Sequence, residues 1–264
     1  MVVYEGFETV CQIVAAAEME LLKSATLDTL LDGRISLRQP AAGYRVAIDP
    51  VLLAASVPSV NRVLDVGAGV GAAALCYAWR VVSANVIGLE LQNSAAELAQ
   101  ENVALNRFED RVDILSGDLL RPPSALFFGG FDHVMANPPY LPPGRADPRI
   151  TREKAISQVE GEATLADWIK FCLRMAAPKG AITMIHRADR LDEIIALLHG
   201  RAGGVVVFPL WPKSEVSPKR VLVRALLDSR APLRISPGLV LHEMNDGFTE
   251  AAARVLIDAE ALDL

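Results

Sequence analysis

Asn137-Pro138-Pro139-Tyr140 is the stretch of this 264-residue chain whose residue types and spacing say most about chemistry. Two consecutive prolines fix the backbone and remove two N–H donors, leaving the Pro138 carbonyl free to point outward as an acceptor. Asn137 places a side-chain oxygen beside it. Two acceptors so placed can take both hydrogens of a planar –NH2 group. The lone pair of such an amine is delocalised and poorly nucleophilic. Acceptors that favour a pyramidal nitrogen aim the lone pair and stabilise the charge that develops on alkylation. Tyr140 adds a face on which an extruded base can stack, worth about 1–3 kcal/mol per base. Read blandly, the same residues are a proline-rich turn. Carbon alkylation of a pyrimidine would instead need a cysteine here, and Cys11, Cys76 and Cys172 all lie elsewhere.

A second constellation is Asp65-Val66-Gly67-Ala68-Gly69-Val70-Gly71, with Glu90-Leu91 and Asp118-Leu119 further on. Glycines allow positive φ and close approach of a ligand to the backbone. Gly67, Gly69 and Ala72, with Glu90 downstream, also satisfy a dinucleotide fingerprint. Charge separates the two readings. A dinucleotide brings a pyrophosphate to the amino terminus of the following helix, where Asp65 would repel it. S-adenosylmethionine carries an ammonium and a sulfonium, which Asp65 would favour. Glu90 can accept both ribose hydroxyls, with Ala68 and Leu91 alongside. Asp118 can accept from the adenine amine while Leu119 packs on its ring; as a plain alternative, Asp118 is a turn residue after Gly117.

These residues need a scaffold that brings loop ends together, and the hydrophobic periodicity supplies one. Strands are expected at 63–66, 85–90, 112–115, 131–136 and 181–185, with helices at 71–80, 94–106, 165–176 and 190–198. Strands alternating with helices of this length argue a parallel sheet covered on both faces, with ligands at the strands' carboxyl ends. Gly204–Leu210 and Arg220–Leu227 lack a helix between them and read as an antiparallel pair added at the sheet edge. Thr249 caps a last helix expected to reach about Leu262. Asp49-Pro50 signals another helix start, with Asp49 as the cap. Residues 1–33 read as a helical extension, helical from Gly6 to about Leu31, and residues 34–264 as one domain.

Composition narrows the class. With 52% hydrophobic residues the chain can fill a globular core, and no apolar run approaches the roughly 18 residues that span a bilayer. Glu5 and Glu8 and the lack of a basic cluster argue against a secretory signal. The separated cysteines argue against a metal site and fit a reducing cytoplasm. The net charge of −6 counts against indiscriminate nucleic-acid binding. Residues 201–240 nevertheless carry seven cations against two anions, net +5, either as a phosphate-binding patch or as solvated edge strands.

Together, Asp65–Gly71 and Asn137–Tyr140 resemble class I S-adenosylmethionine-dependent methyltransferases of the amino-methylating group. Gln39-Pro40, Gly43-Tyr44-Arg45, Ile48–Leu53, Pro237–Glu243 and Gly247-Phe248-Thr249 are further similar to the bacterial tRNA(Val) adenine-N6 methyltransferases. The resemblance covers residues from about Leu30 onward. It implies a Rossmann-like α/β fold: a seven-stranded, mostly parallel sheet with an antiparallel last strand and helices on both faces. It also implies methyl transfer from S-adenosylmethionine to the exocyclic N6 amine of adenine in tRNA, with no metal and no membrane. Asp65, Gly67, Ala68, Gly69, Gly71, Glu90, Leu91, Asp118, Leu119 and Asn137 would hold the donor. Asn137, Pro138, Pro139 and Tyr140 would hold the target. Lys219, Arg220, Arg224, Arg145 and Arg149 would contact phosphates. The competing readings are a glutamine-N5 methyltransferase acting on release factors, a DNA adenine methyltransferase, a nicotinamide-dependent oxidoreductase and a non-enzymatic RNA-binding module.

Overall fold

The computed structural model describes residues 25–41, 45–140 and 162–264. It begins with an antiparallel hairpin, β1 (Ala25–Leu30) and β2 (Ile35–Pro40). After α1 (Asp49–Ser56), the alternation read from the sequence follows: β3 (Arg62–Val66), α2 (Ala72–Arg80), β4 (Asn85–Glu90), α3 (Asn93–Leu105), β5 (Val112–Ser116) and β6 (Phe131–Ala136). Then come α4 (Leu165–Met175), β7 (Ala176–Arg187), α5 (Leu191–Leu198), β8 (Gly203–Trp211) and β9 (Arg220–Leu226). Two-residue strands β10 (Arg234–Ile235) and β11 (Leu239–Val240) and a final helix α6 (Glu250–Leu256) complete it.

Strands β3 to β9 form one sheet in the order β8-β9-β7-β6-β3-β4-β5, extended beyond β8 by β10 and β11. All neighbouring pairs are parallel except those of β9, which runs antiparallel to β7 and to β8. This is the Rossmann-like fold with seven principal strands and an antiparallel last one. Alternate strand residues feed opposite faces, as pleating requires. Val63, Val86 and Met135 pack with α1, α2, α3, α6 and the hairpin, while Leu64, Leu89 and Val134 pack with α4 and α5.

Two expectations change. The helix reading fails over residues 25–31, which form β1 and the start of a turn; residues 1–24 lie outside the described residues. Asp32 (φ +53°) and Gly33 (φ +83°) are the centre of a tight turn closed by Arg34 N–H on the Leu31 carbonyl at 3.2 Å. Asp-Gly between two alternating runs is a hairpin signal, here mistaken for a helix stop. The expected antiparallel pair does extend the sheet beyond β7, with β9 joined to β7 and β8 lying outside it. Burial explains this: Val221, Leu222, Val223 and Ala225 are all covered, as an interior strand demands. Second, the last helix ends at Leu256, because Ala259 adopts φ +62° and Leu262 N–H turns back to the Ala55 carbonyl at 2.8 Å. Thr249 does cap it, accepting from Ala252 N–H at 3.1 Å.

The hairpin is fastened to the sheet domain through α3. Asn102, fully buried, accepts from Arg38 N–H at 2.6 Å and donates to the carbonyls of Arg38 and Val70 at 2.8 and 3.0 Å. One amide thus pairs a strand backbone with the residue between two loop glycines. Leaving such groups buried and unpaired costs about 1–3 kcal/mol in sum or more. Asn102→Ala should lower the unfolding free energy by about 3 kcal/mol in a urea titration.

Candidate active site

The donor half of the site forms where β3 and β4 end. The N–H groups of Gly67 and Ala68 both donate to the Leu89 carbonyl, at 2.8 and 3.0 Å, which ties the loop after β3 to β4. Gly67 has φ +72°, and a Cβ there would lie 2.5 Å from the Trp168 ring. Only glycine satisfies both limits. Gly69 has φ +56° with nothing within 4 Å of an added Cβ, so the loop opens onto free space at that point. Trp168 is set by the start of α4, where Thr164 accepts from Asp167 N–H at 3.3 Å and Asp167 accepts from Thr164 N–H at 3.0 Å. That reciprocal cap turns the Trp168 ring onto the glycine loop.

Two buried carboxylates flank the loop. Asp65 accepts from Ala74 N–H, in the first turn of α2, at 3.1 Å. Burial, opposed by that hydrogen bond and reinforced by the nearby Glu90 charge, pushes its pKa up to about 7. Glu90 accepts from Gly69 N–H and from Gln92 N–H, each at 2.8 Å, and burial raises its pKa as well. Each Glu90 oxygen retains a lone pair for a hydroxyl donor. The Cβ-free opening at Gly69, between two acids and with no cation on the loop, fits a cationic nucleoside better than a pyrophosphate. Asp118 behaves as a turn residue: it accepts from Leu120 N–H at 2.9 Å and pairs with the exposed Arg121 at 3.2 Å. An adenine amine would share that carboxylate with Arg121. Leu119 packs against the face of the core that holds α4.

The target half leaves the sheet next door. Val66 and Ala136 are register partners on the adjacent parallel strands β3 and β6, so the glycine loop and Asn137–Tyr140 depart side by side, about 5 Å apart. The Tyr140 hydroxyl lies 2.7 Å from Asn137 Oδ1 and 2.6 Å from Asp49 Oδ2. Arg220, at the start of β9, donates from Nε to the same Asp49 oxygen at 3.2 Å and holds its guanidinium carbon 4.3 Å from the Tyr140 ring centroid. His186, at the end of β7, meets the Tyr140 ring edge-on at 5.4 Å. It is fully buried, and neither ring nitrogen makes a regular hydrogen bond. Burial, with the Arg190 and Arg220 charges, pushes its pKa down to about 4, so the imidazole is neutral near pH 7.

Several sequence expectations are revised by these contacts. Asp49 makes no side-chain cap; Ile48 stands at the cap position, and the Asp49 carboxylate faces Tyr140 and Arg220. Arg220, expected on phosphates, lies against Asp49 and the Tyr140 ring. Arg224, also expected there, donates to the Leu264 main-chain oxygen at 2.6 Å beside Arg234. Lys219 alone of the described basic candidates is exposed; Arg220 and Arg224 are half-buried. Arg145 and Arg149, like Gly43 and Tyr44, lie outside the described residues. Sequence reasoning missed three members of the site: Asp49, His186 and Trp168. A polar residue closing a buried strand was the available signal for His186. Among the described residues, no cluster of three His, Cys, Asp or Glu side chains could hold a metal, and no helix is long and apolar enough to cross a membrane.

A parallel sheet reversed at its last strand, with an acidic glycine loop and an Asn-Pro-Pro-Tyr turn at neighbouring strand ends, defines a class I S-adenosylmethionine-dependent methyltransferase. The family model described as "Methyltransferase small domain" matches residues 48–158. A tRNA1(Val) (adenine(37)-N6)-methyltransferase of Aeromonas salmonicida is 32% identical over 220 residues, covering 78% of this chain and 86% of that protein. One from Porphyromonas gingivalis is 32% identical over 171 residues, covering 61% of this chain and 66% of that protein. The solved structure described as a predicted O-methyltransferase, protein Atu636 from Agrobacterium tumefaciens, superposes with a TM-score of 0.68 at 28% identity. It covers 81% of this chain and 98% of that one. The chain belongs to the tRNA1(Val) (adenine(37)-N6)-methyltransferase family.

The raised pKa of Asp65 gives the donor site a pH dependence. A folded pKa of about 7 against 3.8 means the acid's contribution to stability is full below about pH 3.8 and lost as pH rises through 7. Ionised Asp65 therefore strains the free protein and favours a cationic ligand. Calorimetric affinity for S-adenosylmethionine should rise about tenfold from pH 5.5 to 7. Asp65→Asn, which keeps the acceptor for Ala74 N–H, should flatten that slope.

Proposed function

We propose that this chain transfers a methyl group from S-adenosylmethionine to the exocyclic N6 amine of an adenine in tRNA. The single observation that carries this reading is the Val66–Ala136 register, which sets the donor loop and the Asn137–Tyr140 turn at one point of the sheet edge. When bound, the donor supplies an electrophilic methyl group on a sulfonium. Glu90 and Asp65 would face the ribose and the positive charge, and the opening at Gly69 would admit the nucleoside against the backbone. Asn137 Oδ1 and the Pro138 carbonyl would take the two amine hydrogens and draw the nitrogen lone pair out of conjugation. After transfer the nitrogen is acidic and loses its proton without a strong base.

Tyr140 would stack the extruded base. Because Arg220 covers one ring face, the base meets either the other face or the guanidinium plane, and both surfaces stack bases. The relatives named for tRNA modification support RNA as the acceptor, and Lys219 beside Arg220 offers a phosphate contact. Arg145 and Arg149 remain candidates for the same task. The cytoplasm, where tRNA is modified, is the compartment that fits this substrate.

The test is transfer of labelled methyl to unmodified tRNA, with total DNA and a release factor as parallel acceptors and nucleoside analysis of the product. N6-methyladenosine in tRNA is the expected result. Label on glutamine or on DNA would replace the acceptor while leaving the amine chemistry. Asn137→Ala should reduce turnover at least about 100-fold, with a far smaller loss of donor affinity; normal turnover in that variant would overturn the assigned role.

A further inference from the structure

The contact pattern around Tyr140 contains a conflict whose resolution assigns new roles. A phenol has one proton, yet two acceptor oxygens lie within reach of the Tyr140 hydroxyl: Asp49 Oδ2 at 2.6 Å and Asn137 Oδ1 at 2.7 Å. Hydrogen bonds to a carboxylate are shorter and roughly twice as strong as those to a neutral amide. Asp49 therefore accepts the hydrogen bond from Tyr140. Two oxygens at 2.7 Å without a proton between them would repel. A half-turn of the Asn137 amide, which exchanges its oxygen and nitrogen at little steric cost, replaces that repulsion with an N–H···O bond to Tyr140. The same half-turn swings the Asn137 oxygen away from Tyr140.

We infer that Asp49 and Arg220 are positioning residues that act through Tyr140 to set the Asn137 amide, so that its oxygen is presented to the substrate amine. The inference rests on the amine-methylating reading of Asn137. It goes further by fixing which amide atom faces the substrate and what enforces that choice. Asp49 is held for the task on three sides. It begins α1, where the helix amino terminus favours a carboxylate; Arg220 Nε donates to the same oxygen that Tyr140 uses; and its side chain is only 15% exposed. Arg220 in turn lies over the Tyr140 ring at 4.3 Å, which limits ring rotation and keeps the hydroxyl on Asp49. His186 closes the ring edge at 5.4 Å. The phenol is thus clamped on its hydroxyl, one face and one edge, and Asn137 is the outlet of the clamp.

A double-mutant cycle separates this role from plain structural support, because residues acting as one unit give non-additive losses. Asp49→Asn and Tyr140→Phe should each lower kcat about 30-fold, leave the donor's KM unchanged, and together cost no more than about threefold beyond the worse single variant. Multiplying losses, or normal kcat in Asp49→Asn, would overturn the proposal. Asp49→Glu should restore part of the turnover.

A second measurement needs neither turnover nor a folded Asp49 variant. The side-chain amide protons of Asn137, assigned by their disappearance in Asn137→Asp, should exchange slowly in the wild type and rapidly in Tyr140→Phe. If Tyr140 instead donates to the Asn137 oxygen, that substitution leaves the amide protons unchanged, and the proposal falls. Because this readout is independent of the acceptor, a failed tRNA assay would remove the functional reading without deciding the amide geometry.

Discussion

Strand β3 leads onward to β4 on one side of the sheet, while the chain returns later to lay β6 on the other side of β3. Crossovers from adjacent strands therefore diverge, and the gap between them is where an open α/β sheet can admit a ligand. Everything functional in the structure depends on that divergence. The glycine loop leaves β3, the Asn-Pro-Pro-Tyr turn leaves β6, and the Val66–Ala136 pairing places both at the same height. Neither segment needs a long excursion to meet the other. The strands do the positioning, and the loops remain short enough to be rigid.

The two halves of the site then carry opposite electrostatic designs. On the donor side Asp65 and Glu90 are buried with raised pKa values, a cost that a cationic ligand offsets and an anionic one would increase. Beside Asn137–Tyr140, Asp49 is paired with Arg220 and a phenol, and His186 is kept neutral by burial. A charge-balanced pocket suits a neutral purine that becomes cationic only as the methyl arrives. The boundary between these environments falls between neighbouring strands, so the sheet separates acidic from neutral surroundings over one strand spacing.

Much of this was legible in the sequence because it is written in local patterns. Alternating runs located β3 to β6 within a residue or so, and the glycine spacing and the double proline located both loops. What was missed depends on long-range pairing. Asp49 sits 91 residues from Tyr140 and 171 from Arg220, and next to Pro50 it reads locally as a cap. Arg220 and Arg224 differ by four residues on one strand and look equivalent, but one meets the strand-end cluster and the other the Leu264 main chain. The hairpin was misread for a different reason. An alternating run ending in Asp-Gly satisfies both a helix stop and a tight turn, and only pairing with β2 selects between them.

The same long-range pairing revises how an acidic protein could engage RNA. The cationic stretch 201–240 is net +5 by count, but Arg220 is joined to Asp49, Arg224 and Arg234 to the Leu264 oxygen, and Lys213 to Asp246 at 2.7 Å. Arg220 and Lys213 are compensated by acids and Arg224 and Arg234 are turned onto the chain, so little of this charge reaches far at physiological salt, where screening acts within about 8 Å. A broad electrostatic footprint is thus a poor description of this surface. Recognition that relies on a few contacts around the strand ends, with stacking at Tyr140 and Arg220 and a local cation at Lys219, matches the geometry better. Such recognition favours an unpaired, extrudable base over a continuous duplex. A ring clamped on its hydroxyl, one face and one edge leaves recognition to shape and to the amine more than to charge, if Tyr140 holds the target as proposed.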